Sequence, residues 1–543
     1  MQNGPLKLFL LYPNYRGYLF DDWSQTVRVN VAVRPPRGYS LALLRVRLSL
    51  LDSAKRAVAG NTVDAAADST ATINAASLTL GTYRLQAELL TTSGNVLANP
   101  APAYTIIKLS ATVRTSMKAY IDPDSILHYG GRAIFPVGVY DLPKPACVQA
   151  AADWASNLGL IRRAQITAYL PISSSNCEVA SFAAHTEALR SHGMVNFPAL
   201  SSIFAGDPYF PFDLAASLGV KVGNPASARD AVNLAAAFAD KMASDPGVLG
   251  YYNYDEPSDA KQPMIFNQYK AVRTRDPASI QWPLINIATI TWNRPGCLRA
   301  PGYASSGDPP EGDRCTDVSN WRDTGDAFGT DPLATNGWNF DANRNYWLPE
   351  VQDWVHDLQY ATKNSRPVWA VLPFYAGEPG FPGFPHWPTY QELHDMTYIA
   401  VVAGVEGIWY WSWGNLHLPP PAGATNAQKE IESLDRVVAG LAPLESAILS
   451  RDVRVLRANS QASTIITKEK APVSGDRYIF AYNHDGVPHN VAFTLKTPAA
   501  SVYVVGGENR ILPLDATRTR FTDSFRIYES HVYHIGNVIY SRS

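Results

Sequence analysis

Polar and apolar residues alternate at period two over residues 1 to about 112. "QTVRVNVAVRP", "SLALLRVRLSL" and "GTYRLQAELLTTSG" are the clearest cases. Strands put successive side chains on opposite faces, so this pattern predicts half-buried strands joined by Gly, Pro, Asp and Ser turns. No segment of helical period interrupts them. The expectation is an N-terminal all-β sandwich over residues 1–112.

The pattern changes over residues 113–447. Short apolar runs now alternate with amphipathic helices. The predicted strands are 133–140, 163–170, 194–200, 248–257, 282–290, 326–332, 367–375 and 407–414. Between two of them, Ser227 caps a helix that buries Ala231, Ala235, Phe238 and Met242 and stops at Asp245-Pro246-Gly247. Another helix opens with the capping-box pair Thr389 and Glu392 and ends at Gly404. Eight strand–helix units in one stretch of this length predict a (β/α)8 TIM barrel. A doubly wound sheet would need a Gly-rich phosphate loop after its first strand, and "GVYDLPKP" is not one. Period two returns over 448–543, in "RYIFAYNHDG", "NVAFTLKT" and "ASVYVVGGENR", which predicts a C-terminal β-sandwich. The fold class expected is therefore multidomain, with a central barrel between two all-β domains. A chain of 543 residues is too long for a single core and fits this division.

Composition narrows the partners. The net charge is -2 and only 17% of residues are charged, below the usual ~25%. There is no basic tract, so nucleic acid is not an expected partner. No run of about 18 apolar residues exists, so no membrane-spanning helix is expected. Thirteen Trp and 28 Tyr offer flat faces with one polar edge, which suits sugar rings, although large cores and β-sandwiches use aromatics as heavily. Cys147, Cys177, Cys297 and Cys315 form no C-x-x-C pair. Their even number and loop-like surroundings predict bridges 147–177 and 297–315 and a secreted or periplasmic protein, with four reduced thiols as the alternative. "MQNGPLKLFLLYPNY" has no cleavage site of the signal-peptide kind, so the expectation is a mature chain from which a leader has been removed.

The stretch "GYYNYDEPSD" decides the chemistry, because Asp255 and Glu256 stand together at the end of the fourth predicted strand. In a barrel, that end is where active sites are built. A fourth strand ending in an acid before proline resembles the clan A glycoside hydrolases, whose strand ends in Asn-Glu-Pro. "GRAIFPVGVYDLP", "DAFGTDPLA" and "GIWYWSWGN" resemble the first, sixth and eighth strands of such barrels, and "DSFRIYESHVYHI" resembles the sandwich that often follows them. The resemblance covers most of residues 120–543. It implies a hydrolase cleaving a β-linked poly- or oligosaccharide, with no cofactor and a carbohydrate as partner. It implies that Glu256 is the general acid/base and that Asp255 replaces the Asn that bonds a sugar hydroxyl. Helix capping is the alternative role for either acid.

The chain departs from that family at strand seven. "PVWAVLPFYAGEPGF" carries Leu372 and Pro373 where the nucleophilic Glu is expected. Glu378, Asp331 and Asp141 are the remaining acids at the mouth. Retention and inversion both stay open. Trp409, Trp411 and Trp413 share one parity on strand eight, which places Trp411 and Trp413 near the mouth as sugar platforms. Tyr140, Tyr252, Tyr254, His386 and His417 are further candidates for the lining, each with packing or an exposed loop as its alternative. No H-E-x-x-H or comparable spacing appears, so no catalytic metal is expected, and no G-x-S-x-G elbow points to a serine esterase. A non-catalytic carbohydrate-binding barrel that has lost its nucleophile is the competing reading, and a lyase or transglycosylase is a third. Oligomeric state is not legible.

Overall fold

The computed structural model describes residues 4–99, 104–141, 158–162, 164–171, 179–201, 203–205, 210–257, 261–285, 321–332, 334, 347–376, 387–417, 425–457 and 462–537. The chain divides into two compact units. One is Met1–Arg132 with Ala361–Pro367, and the other is Ala133–Tyr360 with Val368–Ser543.

Two sheets form the core of the first unit, and a small third one, Ala119–Ile121 with Leu127–Tyr129 and Arg132–Ile134, follows them in the chain. Leu6–Tyr12, Thr26–Val33 and Ser69–Asn74 form one, all antiparallel. Tyr18–Phe20, Tyr104–Leu109, Gly81–Thr91, Leu44–Leu51 and Ala57–Asp64 form the other, in that spatial order. The pairing of Tyr18–Phe20 with Tyr104–Leu109 is parallel, whereas the other pairings of this sheet are antiparallel. Alternation decides the burial. Leu44, Val46, Leu48 and Leu50 are inside, while Arg45 and Arg47 between them are exposed. They meet Val27, Val29 and Val31 of the first sheet in one hydrophobic cluster. The segment 361–367 belongs here because Arg366 donates to the Leu10 carbonyl at 3.2 Å and lies over the Phe9 ring.

The second unit holds eight parallel strands, β1 (Val137–Asp141), β2 (Ala168–Pro171), β3 (Val195–Asn196), β4 (Gly250–Tyr252), β5 (Ile280–Trp282), β6 (Phe328–Thr330), β7 (Val368–Pro373) and β8 (Gly407–Trp411). Ladders join β3-β2-β1-β8-β7-β6 and β4-β5. Bridges Asn196↔Val248 and Ala199↔Tyr252 join β3 to β4, and Leu284↔Gly329 joins β5 to β6. The eight strands therefore close into a ring with no free edge. Each lies within or overlaps one of the eight runs expected from the sequence, and all are shorter. β2 starts at Ala168 rather than 163, and β4 stops at Tyr252, so 253–257 leaves the ladder.

Large aromatics fill the ring. Trp282 and Trp409 stack with centroids 5.2 Å apart, and Trp369 and Phe197 pack against them. Glycines on neighbouring strands make the room. A Cβ on Gly138 would sit 2.2 Å from the Trp409 ring, and one on Gly329 would sit 2.5 Å from the Trp282 ring. Helix Ala228–Met242 carries the expected capping box, with Asp230 N donating to Ser227 Oγ, and it buries Ala231, Ala235, Phe238 and Met242. Helix Tyr390–Ala403 has the Thr389–Glu392 box and ends at Gly404, whose φ of +87° a side chain would resist.

The C-terminal strands form a six-stranded sheet and a hairpin-like pair, His489–Thr494 with Arg520–Phe525, around a shared core. They group with the ring in the second unit, across the boundary expected at 447. Helix Tyr390–Ala403 gives the physical reason. Its Asp395 accepts from the Ser530 backbone at 2.9 Å and from the Ser530 hydroxyl at 2.7 Å, and its His394 and Tyr398 bond the Gly506 carbonyl.

Candidate active site

Strand β4 delivers the acids through a turn. Asn253 N still bonds Trp282 O at 2.9 Å, but the chain then bends back on itself. The Tyr252 hydroxyl donates to Asp255 Oδ1 at 2.5 Å, three residues on. Glu256 follows with φ +42°, a left-handed backbone that a non-glycine residue adopts at a cost. Such strain persists where the surroundings impose it, and here it holds the Glu256 carboxyl out of the ladder in an exposed position.

Asp331 stands one residue beyond β6 and is buried. Its carboxyl is hydrogen-bonded to that of Glu256. Two carboxyl groups can bond to each other only if one of them carries a proton. Burial, and after it the charge of Glu256, pushes Asp331 well above the usual carboxylate range. Asp255 is half-buried and is pushed up to about 7. Burial is the main cause. The Tyr252 hydrogen bond works against it, and the charge of Glu256 adds to it. The ends of β4 and β6 thus bring together Asp255, Glu256 and Asp331, and two of them, Asp255 and Asp331, hold protons at pH values where isolated carboxyls have lost theirs. Such a cluster can donate and accept protons near neutrality.

The aromatic candidates separate. Trp411 ends β8, is half-buried, and meets the Tyr140 ring at 5.2 Å. Trp413 does not line an open surface. β8 stops at Trp411 and a 3-10 helix runs over Trp413–His417, so the period-two parity that grouped the three tryptophans ends before Trp413. It is fully buried and stacks on Phe374. Tyr140 and Tyr252 are also fully buried. They stand behind the acids and offer no face to a ligand. Tyr254 is buried against Phe204 and accepts a hydrogen bond from Lys261. Lys261 carries no sequence signal of its own. It sits just before helix Gln262–Arg275, and its ammonium lies 3.8 Å from the Phe204 ring centre.

No protein-family model matches the sequence. No curated protein matches it either. Among solved structures, a family 5 glycoside hydrolase from Bacteroides vulgatus aligns with TM-score 0.50 at 11% identity, over 79% of this chain and 94% of its own. The fold is of the glycoside hydrolase type. A family 39 glycoside hydrolase from Bacteroides cellulosilyticus aligns over 93% of this chain and 97% of its own at 12% identity, with TM-score 0.47. Identities this low speak to the fold alone.

Several expected residues lie outside the described ones, namely Glu378, His386 and the four cysteines with both expected bridges. Asp141 closes β1 opposite Pro171, and His417 ends the 3-10 helix; their side chains are outside the described set. Strand β7 ends at Leu372 and Pro373, and neither it nor the following residues to Ala376 carry an acid.

The position of Asp255 has a consequence for stability. In the unfolded chain an aspartate ionises near 3.9. In the folded protein Asp255 keeps its proton to about 7. Between these values the folded state binds more protons, so this residue's contribution to stability falls as pH rises from about 4 to about 7. Asp255→Asn, which cannot ionise, is expected to be more stable than the wild type at pH 8. The gain expected is about 1–3 kcal/mol, less than full burial would give because part of the residue meets solvent. At pH 4 the gain should vanish. Urea unfolding at both pH values measures it, and an equal change at both would show that the charge is not the cause.

Proposed function

We propose that the protein is a glycoside hydrolase, with a (β/α)8 barrel carrying the site and β-sandwich domains on either side of it in the chain, acting on a β-linked poly- or oligosaccharide outside the cytoplasm. The hydrogen-bonded pair of Glu256 and Asp331 carries this reading. Glycoside cleavage needs one carboxylic acid to protonate the leaving oxygen and one carboxylate to attack the anomeric carbon or to activate water. A pair that holds a proton in common supplies both forms. Glu256, exposed at the mouth, donates its proton to the leaving oxygen as the C1–O bond breaks. Asp331, left ionised, bonds to C1. Glu256 then takes a proton from water, the water oxygen attacks C1, and the bond to Asp331 breaks. The closeness of the two carboxyls favours this retaining course, whose groups stand ~5–5.5 Å apart, over an inverting one, which leaves ~6.5–9.5 Å for a water. Trp411, half-buried against Tyr140 at the end of β8, is the aromatic candidate for a sugar face.

The acid-free end of β7 favours a second reading, a barrel that binds carbohydrate without cleaving it. Turnover of a panel of aryl glycosides and polysaccharides separates the two. With a 2-fluoro glycoside of a turned-over sugar, mass spectrometry is expected to find the adduct on Asp331. An adduct elsewhere would reassign the nucleophile, and binding without turnover across the panel would favour the second reading.

A further inference from the structure

Two tyrosine hydroxyls from different strands stand behind the acids, and only one of them bonds an acid. Tyr252 donates to Asp255 at 2.5 Å. Tyr140 lies edge-on to Tyr252 with ring centroids 5.5 Å apart, and its buried hydroxyl meets that of Tyr252 and makes no hydrogen bond to Asp255. A donated hydrogen bond favours the charged form of the carboxylate that accepts it. Charge on Asp255 in turn makes Asp331 harder to ionise. The groups facing Asp255 are Tyr252 and Glu256 from the end of β4, Tyr140 from β1 and Asp331 from β6. The Lys261 ammonium is engaged by Tyr254 and the Phe204 ring.

We propose that Tyr252 is a positioning residue that sets where the site's proton resides: its hydroxyl favours the charged form of Asp255, and charge on Asp255 keeps the working proton on the Glu256–Asp331 pair. The catalytic consequence rests on the hydrolase reading above; the effect on Asp255 does not.

Tyr252→Phe removes the hydroxyl and keeps the ring. In protein carrying 13C at the aspartate carboxyl carbons, the Asp255 resonance is identified by its loss in Asp255→Asn. Its titration is expected to move up by about 1–2 pH units in Tyr252→Phe, the size of one hydrogen bond to a charged group. Tyr140→Phe removes a hydroxyl that makes no bond to Asp255 and is expected to move the titration much less. On a glycoside the wild type turns over, the bell-shaped pH profile of kcat/KM is expected to narrow in Tyr252→Phe. The double variant with Asp255→Asn is expected to show the profile of Asp255→Asn alone. An unmoved Asp255 titration overturns the proposal. Equal shifts from Tyr252→Phe and Tyr140→Phe also overturn it, since loss of polar surroundings would then be the cause. The expected titration shift in a protein that turns over no glycoside would support the Tyr252 assignment and sink the hydrolase reading. If Tyr252→Phe does not fold, 3,5-difluorotyrosine at position 252, a stronger donor, is expected to move the Asp255 titration down, and no movement counts against the bond.

Discussion

Glu256→Gln is expected to lower kcat/KM about 10²–10⁴-fold on glycosides with poor leaving groups, the usual worth of general acid/base help. Glutamine keeps the size and planarity of the side chain and still bonds to a carboxyl group. Its backbone accepts φ +42° no worse than glutamate does, so the fold and sugar binding should persist. What is lost is the proton. Nitrophenyl glycosides, whose leaving groups need little protonation, should lose much less. Asp331→Asn removes the other half of the pair and should damage both substrate classes alike, because bonding to C1 is required whatever the leaving group. Kinetics of the two variants on the two substrate classes check the assignment. Full activity of Glu256→Gln on a polysaccharide, or an Asp331→Asn variant that spares the nitrophenyl substrates, would reject these roles.

The same residues show how far local sequence reaches. The eight short apolar runs separated by helices are legible, because a buried parallel strand needs a continuous hydrophobic stretch and a helix beside it needs a stripe. Where a strand ends is not legible. "VLGYYNYDEP" is apolar or aromatic through Tyr254 except at Asn253, yet the ladder releases the chain after Tyr252, since a ladder lasts only while its neighbours continue it. The turn that brings Tyr252 to Asp255 therefore leaves no periodic mark. Trp413 illustrates the same limit, because parity arguments hold only inside a strand and β8 has stopped by then. Glu256 and Asp331 can each be named as acids at strand ends. Their mutual hydrogen bond depends on how the ring closes, and no spacing in the sequence encodes it.

Ring closure itself sets the last expectation, that Gly138→Ala will strongly destabilise the second unit. One methyl group is a small change at most sites. Here its carbon would lie 2.2 Å from Trp409 Cε3 and 2.3 Å from Cζ3, well inside contact distance, so something must move. The indole cannot yield easily. It is fully buried, stacked on Trp282, and flanked by Trp369, Phe197 and Tyr140. The strands cannot yield easily either, since Gly138 faces Trp409 directly in the β1–β8 ladder. Overpacking of this kind costs typically 1–3 kcal/mol and occasionally more. With both parties fixed, about 3 kcal/mol or more is expected, read as a lower urea midpoint or poor soluble yield. The partner identifies the cause. In a Trp409→Leu background, itself costly, the added methyl should cost much less, because the ring edge it strikes is gone. An equal cost in both backgrounds would place the damage in the backbone of β1 and not in the packing of the ring's aromatic interior.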